Sequence, residues 1–181
     1  MSTVAFGGHG RRVTVHPSAR IEQAESIWLG DWVVIDDFVF ILGGRETRIG
    51  SHVRIALGSS LAGGGELEIG DFCLVSAGVR IWSGNHDYGG ATLLGPGVPE
   101  PFQVIERSRV EIGRHCMIGT NSVVLPGVTI GEGVTVGALS LVNEDLPAWT
   151  VCCGIPARPV RERPKAAILE LERRVREQAR V

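Results

Sequence analysis

The chain has 181 residues, 44% of them hydrophobic, with 25 glycines, one tyrosine and a formal net charge of −2. That length suits one domain with a small appendage. The near-neutral balance argues against a general nucleic-acid binder, whose affinity rests on many phosphate contacts, and no apolar run approaches the roughly 20 residues of a bilayer span.

The opening MSTVAFGGHGRR has no apolar signal-peptide core, so a cytoplasmic location is expected. From Val15 an aliphatic residue then recurs with a fixed rhythm. Val15 and Ile21 are six apart, as are Leu29, Ile35 and Ile41, then Ile49, Ile55 and Leu61, then Ile69, Val75 and Ile81. Between groups the step is eight, so each early turn takes 20 residues. The extra pair falls near Gly43-Gly44-Arg45 and Gly63-Gly64-Gly65, where glycine lets the backbone turn with positive φ. A helix needs apolar spacings of three and four and an ordinary strand needs alternation. A six-residue repeat is instead the signature of a parallel β-helix.

Three hexads per turn make a triangular coil of three short strands, stacked at about 4.8 Å. The aliphatic residue points inward, the small residue four places on fills the corner, and the aliphatic's two neighbours face out. Each coil buries its core only against its neighbours, so about six coils stabilise one another. Asp31, Asp36, Asp37, Arg48, Glu68 and Arg114 all fall on outward or corner positions. The spacing leaves the hand open, and the general rule for parallel crossovers favours a right-handed one. GEGVTVG and AGGGELE look superficially like phosphate-cradling loops, but they keep step with the hexads and lack the strand–turn–helix setting of a nucleotide fingerprint.

After Ile81 the rhythm fails for 31 residues, up to Ile112. The insertion carries three prolines and four glycines between Gly89 and Pro101, and long loops inside compact repeats are commonly functional. It begins at His86, the last and outward-facing residue of its hexad, among Trp82, Asn85, Asp87 and Tyr88. Position alone leaves two readings open: a general base with a pKa near neutrality, or a histidine that caps the loop through its neighbours. His9, His16, His52 and His115 adjoin no excursion from the stack, so their claims are weaker.

The repeat returns over Ile112, Ile118, Val124, Ile130, Val136 and Val142, now with 18 residues per turn. Cys73 and Cys116 occupy small corner sites as compact hydrophobes. Cys152 and Cys153 are adjacent, which suits neither a zinc pair nor a disulfide. Beyond Val142 the pattern stops, and Gly154-Ile155-Pro156-Ala157-Arg158-Pro159 reads as extended or turning. A helix is expected from Pro164 with an apolar stripe of Ile168, Leu171 and Val175. From Arg158 onward eight basic residues, Arg180 the last of them, face four glutamates, leaving the tail near +4 and the rest near −6. The helix arginines read as a solvated face, whereas Arg158, Arg161 and Lys165 directly follow the last coil.

The hexads, SGNHDYGG in the insertion, IGTNSVVLPGVTIGEGVTVGALSLV and the ending GIPARPV together resemble the left-handed β-helix acyltransferases with hexapeptide repeats. The similarity covers roughly residues 10–163. It is nearest to bacterial acetyltransferases of surface polysaccharide and nucleotide-sugar pathways, of the dTDP-4-amino-4,6-dideoxyglucose and galactoside acetyltransferase type. The resemblance implies an all-β architecture: a left-handed parallel β-helix over residues 1–146, with an inserted loop at 82–111, then an extension and α-helix over 147–181. It also implies a homotrimer with acetyl-CoA, the donor substrate, lying along the coils at subunit interfaces, and no metal.

His86 matches the family's catalytic histidine, which takes a proton from the acceptor hydroxyl or amine. Thr120, Ala138 and Asn143 align with positions that contact pantetheine or phosphate, and Arg158 and Arg161 with the basic ending that meets the 3′-phosphate, where guanidinium chemistry is apt. Trp82, Asn85, Asp87 and Tyr88 are the candidate contacts to a sugar or nucleotide-sugar acceptor. Three positions depart from the pattern: Glu144 where many relatives have Lys, Met117 where simple-sugar enzymes have Trp, and Ala56 where they have Asn. Glu144 removes one phosphate contact to the donor, whereas Met117 and Ala56 argue against maltose- or galactoside-type acceptors. Two rivals use the same scaffold. A γ-type carbonic anhydrase needs three histidine ligands, including an H-x4-H pair that this sequence lacks. A non-enzymatic assembly module would leave His86 and the basic ending unexplained.

Overall fold

The computed structural model describes residues 5–178; the first four residues of the opening segment and Arg180 lie outside them. Three parallel ladders form the sides of a triangular coil. The first face holds six strands: Gly8–His9, Ile27–Leu29, Glu46–Ile49, Glu66–Ile69, Val110–Ile112 and Thr129–Ile130. On the second face are Thr14–Val15, Val34–Ile35, Arg54–Ile55, Leu74–Val75, Met117–Ile118, Thr135–Val136 and Thr150–Gly154, with Ala157–Glu162 folding back antiparallel at the end. The third face holds Arg20–Glu22, Phe40–Leu42, Ser60–Ala62, Arg80–Trp82, Val123–Val124 and Leu141–Val142. The insertion leaves the stacking register intact, because Ile69 pairs directly with Ile112 and Ile81 with Val124.

The aliphatic columns point inward as the hexads require. On the second face Ile35, Ile55, Val75, Ile118, Val136 and finally Cys152 are all buried. Cys73 and Cys116 are buried at their corners, and all four cysteines are free. Asp36 also keeps its corner place, covered by an ion pair with Arg54 at 2.8 Å.

The coils wind left-handed, against the general preference for parallel crossovers. That preference arises from twisted strands feeding helices. Here the coil strands are mostly two or three residues long and accumulate little twist, and the corners are made by left-handed residues. Arg12, Trp32, His52, Phe72, His115 and Trp149 hold φ between 57° and 62° at the corner joining the first two faces. Non-glycine residues adopt such angles only where the surroundings enforce them.

Because these corner residues recur in register, their rings stack. Trp32, His52, Phe72, His115 and Trp149 form a ladder with centroid separations of 6.2, 4.6, 5.3 and 6.2 Å. Between His115 and Trp149 the corner residue is Gly133, where a Cβ would stand 2.5 Å from the Trp149 ring. Glycine there lets Trp149 reach across to His115.

The helix spans Ala166–Gln178 and packs on this corner, but not through the expected stripe. Leu171 is 60% exposed and Val175 41%, while Glu172 is the buried residue. The corner offers the His115 ring and the Arg114 guanidinium rather than an aliphatic groove, so a carboxylate is the better complement. Arg173 and Arg174 lie on the solvated face as expected, paired with Glu170. Arg176 instead turns inward to Asp71 at 3.2 Å and lies over Phe72.

Candidate active site

The third face is where the coil is interrupted. After Arg80–Trp82 the chain leaves the stack as a hairpin, with Gly84–His86 antiparallel to Ile105–Arg107. Gly84 opposes Arg107, Asn85 opposes Glu106 and His86 opposes Ile105. Directly opposed residues share a face, so His86, Ile105 and Arg107 project to one side. Ser83 fastens the root of the hairpin: its buried hydroxyl donates to the Ala62 carbonyl at 3.1 Å and accepts from the Gly65 amide at 3.0 Å. The coil beneath must come close, since a Cβ on Gly63, at φ 110°, would stand 2.3 Å from the Gly84 amide nitrogen.

The hairpin closes a cleft of about 350 Å³ against the coil face. Its wall is apolar, with Phe40, Leu42, Ala62, Trp82 and Ile105 beside His86. Phe40, Leu42 and Ala62 were legible from the 20-residue period, as outward neighbours of Ile41 and Leu61 beneath Trp82. Ile105 and Arg107 were not. Their register is set across the loop 87–104, and no local spacing encodes it.

Of the residues expected around the acceptor, Trp82 and Asn85 line the cleft with His86. Tyr88 is 87% exposed and Asp87 turns into its own loop. The Asp87 carboxylate accepts hydrogen bonds from the backbone amides of Gly89 (2.6 Å), Thr92 (2.9 Å) and Ala91. These bonds, led by that from Gly89, hold its pKa below the ordinary aspartate value. Asp87 therefore shapes the loop. His86 is exposed at the cleft, and among the described residues its ring has no hydrogen-bond partner.

The other histidines have structural partners. His16 meets Asp37 at 3.1 Å, His52 is stacked in the ladder, and His115 meets Glu172 at 2.9 Å. Among the described residues no three His, Cys, Asp or Glu side chains form a group able to hold a metal ion.

Of the expected donor residues, two form a ridge. Thr120 and Ala138 are exposed and stacked in consecutive coils, where the Leu139 amide donates to the Thr120 carbonyl at 2.9 Å. Both precede third-face strands, whereas Asn143 and the His86 hairpin follow such strands. One chain alone therefore separates Thr120 and Ala138 from His86 by the width of a face. Arg158 and Arg161 lie on the final hairpin. Glu144 does more than replace a cation, because its carboxylate accepts from Arg158 Nη2 at 2.8 Å.

Residues 109–144 match the family model described as bacterial transferase hexapeptide (six repeats). The chain is 40% identical over 173 residues to the dTDP-4-amino-4,6-dideoxy-D-glucose acyltransferase of Escherichia coli, covering 95% of this chain and 90% of that protein. It is 32% identical over 154 residues to the putative colanic acid biosynthesis acetyltransferase WcaF of E. coli K12, covering 85% and 68%. Among solved structures, AntD, an N-acyltransferase from Bacillus cereus in complex with dTDP and 3-hydroxybutyryl-CoA, superposes with a TM-score of 0.91 at 34% identity. That match covers 97% of this chain and 93% of AntD. With the coil, the interrupted third face and these likenesses together, the chain belongs to the hexapeptide-repeat acyltransferase family.

Proposed function

We propose that this enzyme moves an acetyl group from acetyl-CoA to a hydroxyl or amine of a nucleotide-linked sugar, with His86 as general base. The observation that carries the reading is the exposed imidazole, unpartnered among the described residues, where the insertion interrupts the coil on the rim of an apolar cleft. An unpartnered imidazole nitrogen is suited to accept a proton from the attacking group. The acceptor nitrogen or oxygen forms a bond to the thioester carbonyl carbon, and its proton passes to His86. The carbon–sulfur bond then breaks and the leaving thiolate takes the proton back, so the base is regenerated. A thiolate leaves readily, so the enzyme's main tasks are placement and proton removal. The AntD complexes with dTDP and coenzyme A support a nucleotide sugar and a coenzyme A thioester as the substrate pair.

The working unit is a homotrimer. The outward side of the third face is largely apolar, with Phe40, Leu42, Trp82, Val123 and Leu141, whereas the first face presents Arg48, Glu68 and Glu111. Packing third faces between copies would set one chain's Thr120 and Ala138 opposite its neighbour's His86 and complete a donor groove. Asn143, Arg158 and Arg161 would hold the distal parts of coenzyme A. Sedimentation equilibrium checks the assembly, and a monomer at working concentration would refute it. No helix among the described residues is long and apolar enough to cross a membrane, and the reading places the enzyme in the cytoplasm, where acetyl-CoA is available.

Free-thiol release from acetyl-CoA with a panel of nucleotide-linked sugars tests the chemistry. His86→Ala should lose at least about a hundredfold in turnover, the range for removal of a general base. Unchanged turnover would remove His86 from the mechanism, and failure to bind coenzyme A in calorimetry would sink the transferase reading itself.

A further inference from the structure

The cleft beside His86 holds one cation that no carboxylate among the described residues answers. Arg107 stands two residues along the strand from Ile105, which opposes His86, so the guanidinium and the imidazole leave the same side of the hairpin. Such diagonal positions are about 7–8 Å apart. The residue facing Arg107 across the ladder is Gly84, which brings no side chain and so no charge to answer it; the Gly63 carbonyl of the coil beneath stands where its Cβ would be.

The guanidinium lies over the glycine corner below, where a Cβ on Gly64 would stand 3.1 Å from Arg107 Nε. It lines both the His86 cleft and an adjoining cleft of about 420 Å³ formed by Val98, Glu100, Pro101, Gln103 and Val104. Glu100 is that second cleft's carboxylate, and Glu106 projects from the opposite side of the strand. Neither reaches ion-pair distance, and nearby Arg109 takes Glu68 and Glu111. Among the described residues Arg107 has no acidic partner.

A planar guanidinium binds phosphate oxygens through paired N–H groups. The spacing of the two residue positions leaves room for a sugar ring between their side chains. A sugar lying between them would present its diphosphate to Arg107 and a ring amine or hydroxyl to the imidazole. The apolar wall of Phe40, Leu42 and Trp82 is suited to a flat base. We infer that Arg107 binds the diphosphate of a nucleoside-diphosphate-linked acceptor and so sets the preference for nucleotide-linked over free sugars. This rests on the acyl-transfer reading for the role of the site, but binding can be measured without turnover.

Calorimetry with dTDP, and with thymidine as a phosphate-free control, tests it on the full chain. Arg107→Gln should weaken dTDP binding at least about tenfold, as expected for loss of a charge-assisted pair, and leave thymidine binding unchanged. Arg107→Lys, which keeps the charge without the fork, should fall between. Thermal melts matching the wild type establish that the variants are folded; Arg107 is exposed, so they should match. In turnover, Arg107→Gln should raise KM for a dTDP-linked amino sugar by a similar factor while KM for acetyl-CoA holds. Wild-type dTDP affinity in Arg107→Gln overturns the inference, as does a rise confined to the KM for acetyl-CoA, which would place Arg107 on the donor. Arg107-dependent dTDP binding without thiol release from any sugar would uphold the site and overturn the transferase reading instead.

Discussion

Replacing Glu172 with alanine should release the C-terminal helix while leaving the coils folded. The Glu172 carboxylate is only 7% exposed and sits 2.9 Å from His115 Nε2, 2.8 Å from Arg176 Nε and 3.2 Å from Arg114 Nη1. Removing one member of a buried pair costs about 3–5 kcal/mol, because the other is left desolvated and unanswered. Little else holds the helix. Leu171 and Val175 are exposed, and what remains is the half-exposed Arg176–Asp71 pair at 3.2 Å, worth about 0–1 kcal/mol, and Arg176 over Phe72 at 5.5 Å, worth about 0.5–1 kcal/mol. The loss therefore exceeds the remaining docking energy, and undocking caps the damage to the rest of the chain.

Hydrogen exchange read by mass spectrometry should show residues 166–178 losing protection while the coil peptides stay as in the wild type. The double variant His115→Phe/Glu172→Leu replaces the pair by apolar groups of similar size, keeps a ring at that rung of the ladder, and should stay docked. Acid should act like the alanine. Burial raises the pKa of Glu172, but the Arg176 and His115 contacts outweigh it and leave the group below the ordinary glutamate value. Its contribution is then complete above the unfolded-state pKa and lost as pH falls through the lower folded one, so release comes only below the usual carboxylate range. Full helix protection in Glu172→Ala would refute this account of docking.

Two further substitutions examine how the site is held. Gly63→Ala should cost several-fold in activity as well as stability, since its Cβ would meet the Gly84 amide at the root of the His86 hairpin, whereas Gly58→Ala, at φ 66° with open space around it, should cost only about 1 kcal/mol in a urea melt. Asp87→Asn should speed proteolysis of the loop 87–104 on the order of tenfold, since it weakens three bonds to a charged acceptor. Because the folded pKa of Asp87 is depressed, wild-type loop order should be complete above the ordinary aspartate range and be lost as pH falls through the lower folded value.

The hexads made the coil, its inward columns and its interruption legible. Ile35, Ile55 and Val75 are buried because each repeats the same local geometry, and six-residue spacing is written along the chain itself. The same logic located His86, at the point where the spacing ends. It failed for the helix, where Ile168, Leu171 and Val175 form an apolar pattern but the docking surface is polar and aromatic. A pattern on one element does not reveal what the other offers.

The His86 cleft divides along the same line. Phe40, Leu42 and Ala62 follow from stacking at 20-residue intervals, whereas Ile105 and Arg107 arrive from beyond a loop. By itself, then, the sequence determined the triangular coil, which residues fill it and where it opens, since all three follow from spacing along the backbone. Only the tertiary structure decided which side chains meet: Phe72 beside His115, Glu172 against His115, Arg107 opposite Gly84. Each of these meetings depends on register between segments a loop or several coils apart. That register is fixed by the whole stack at once, when the corners align and the core closes.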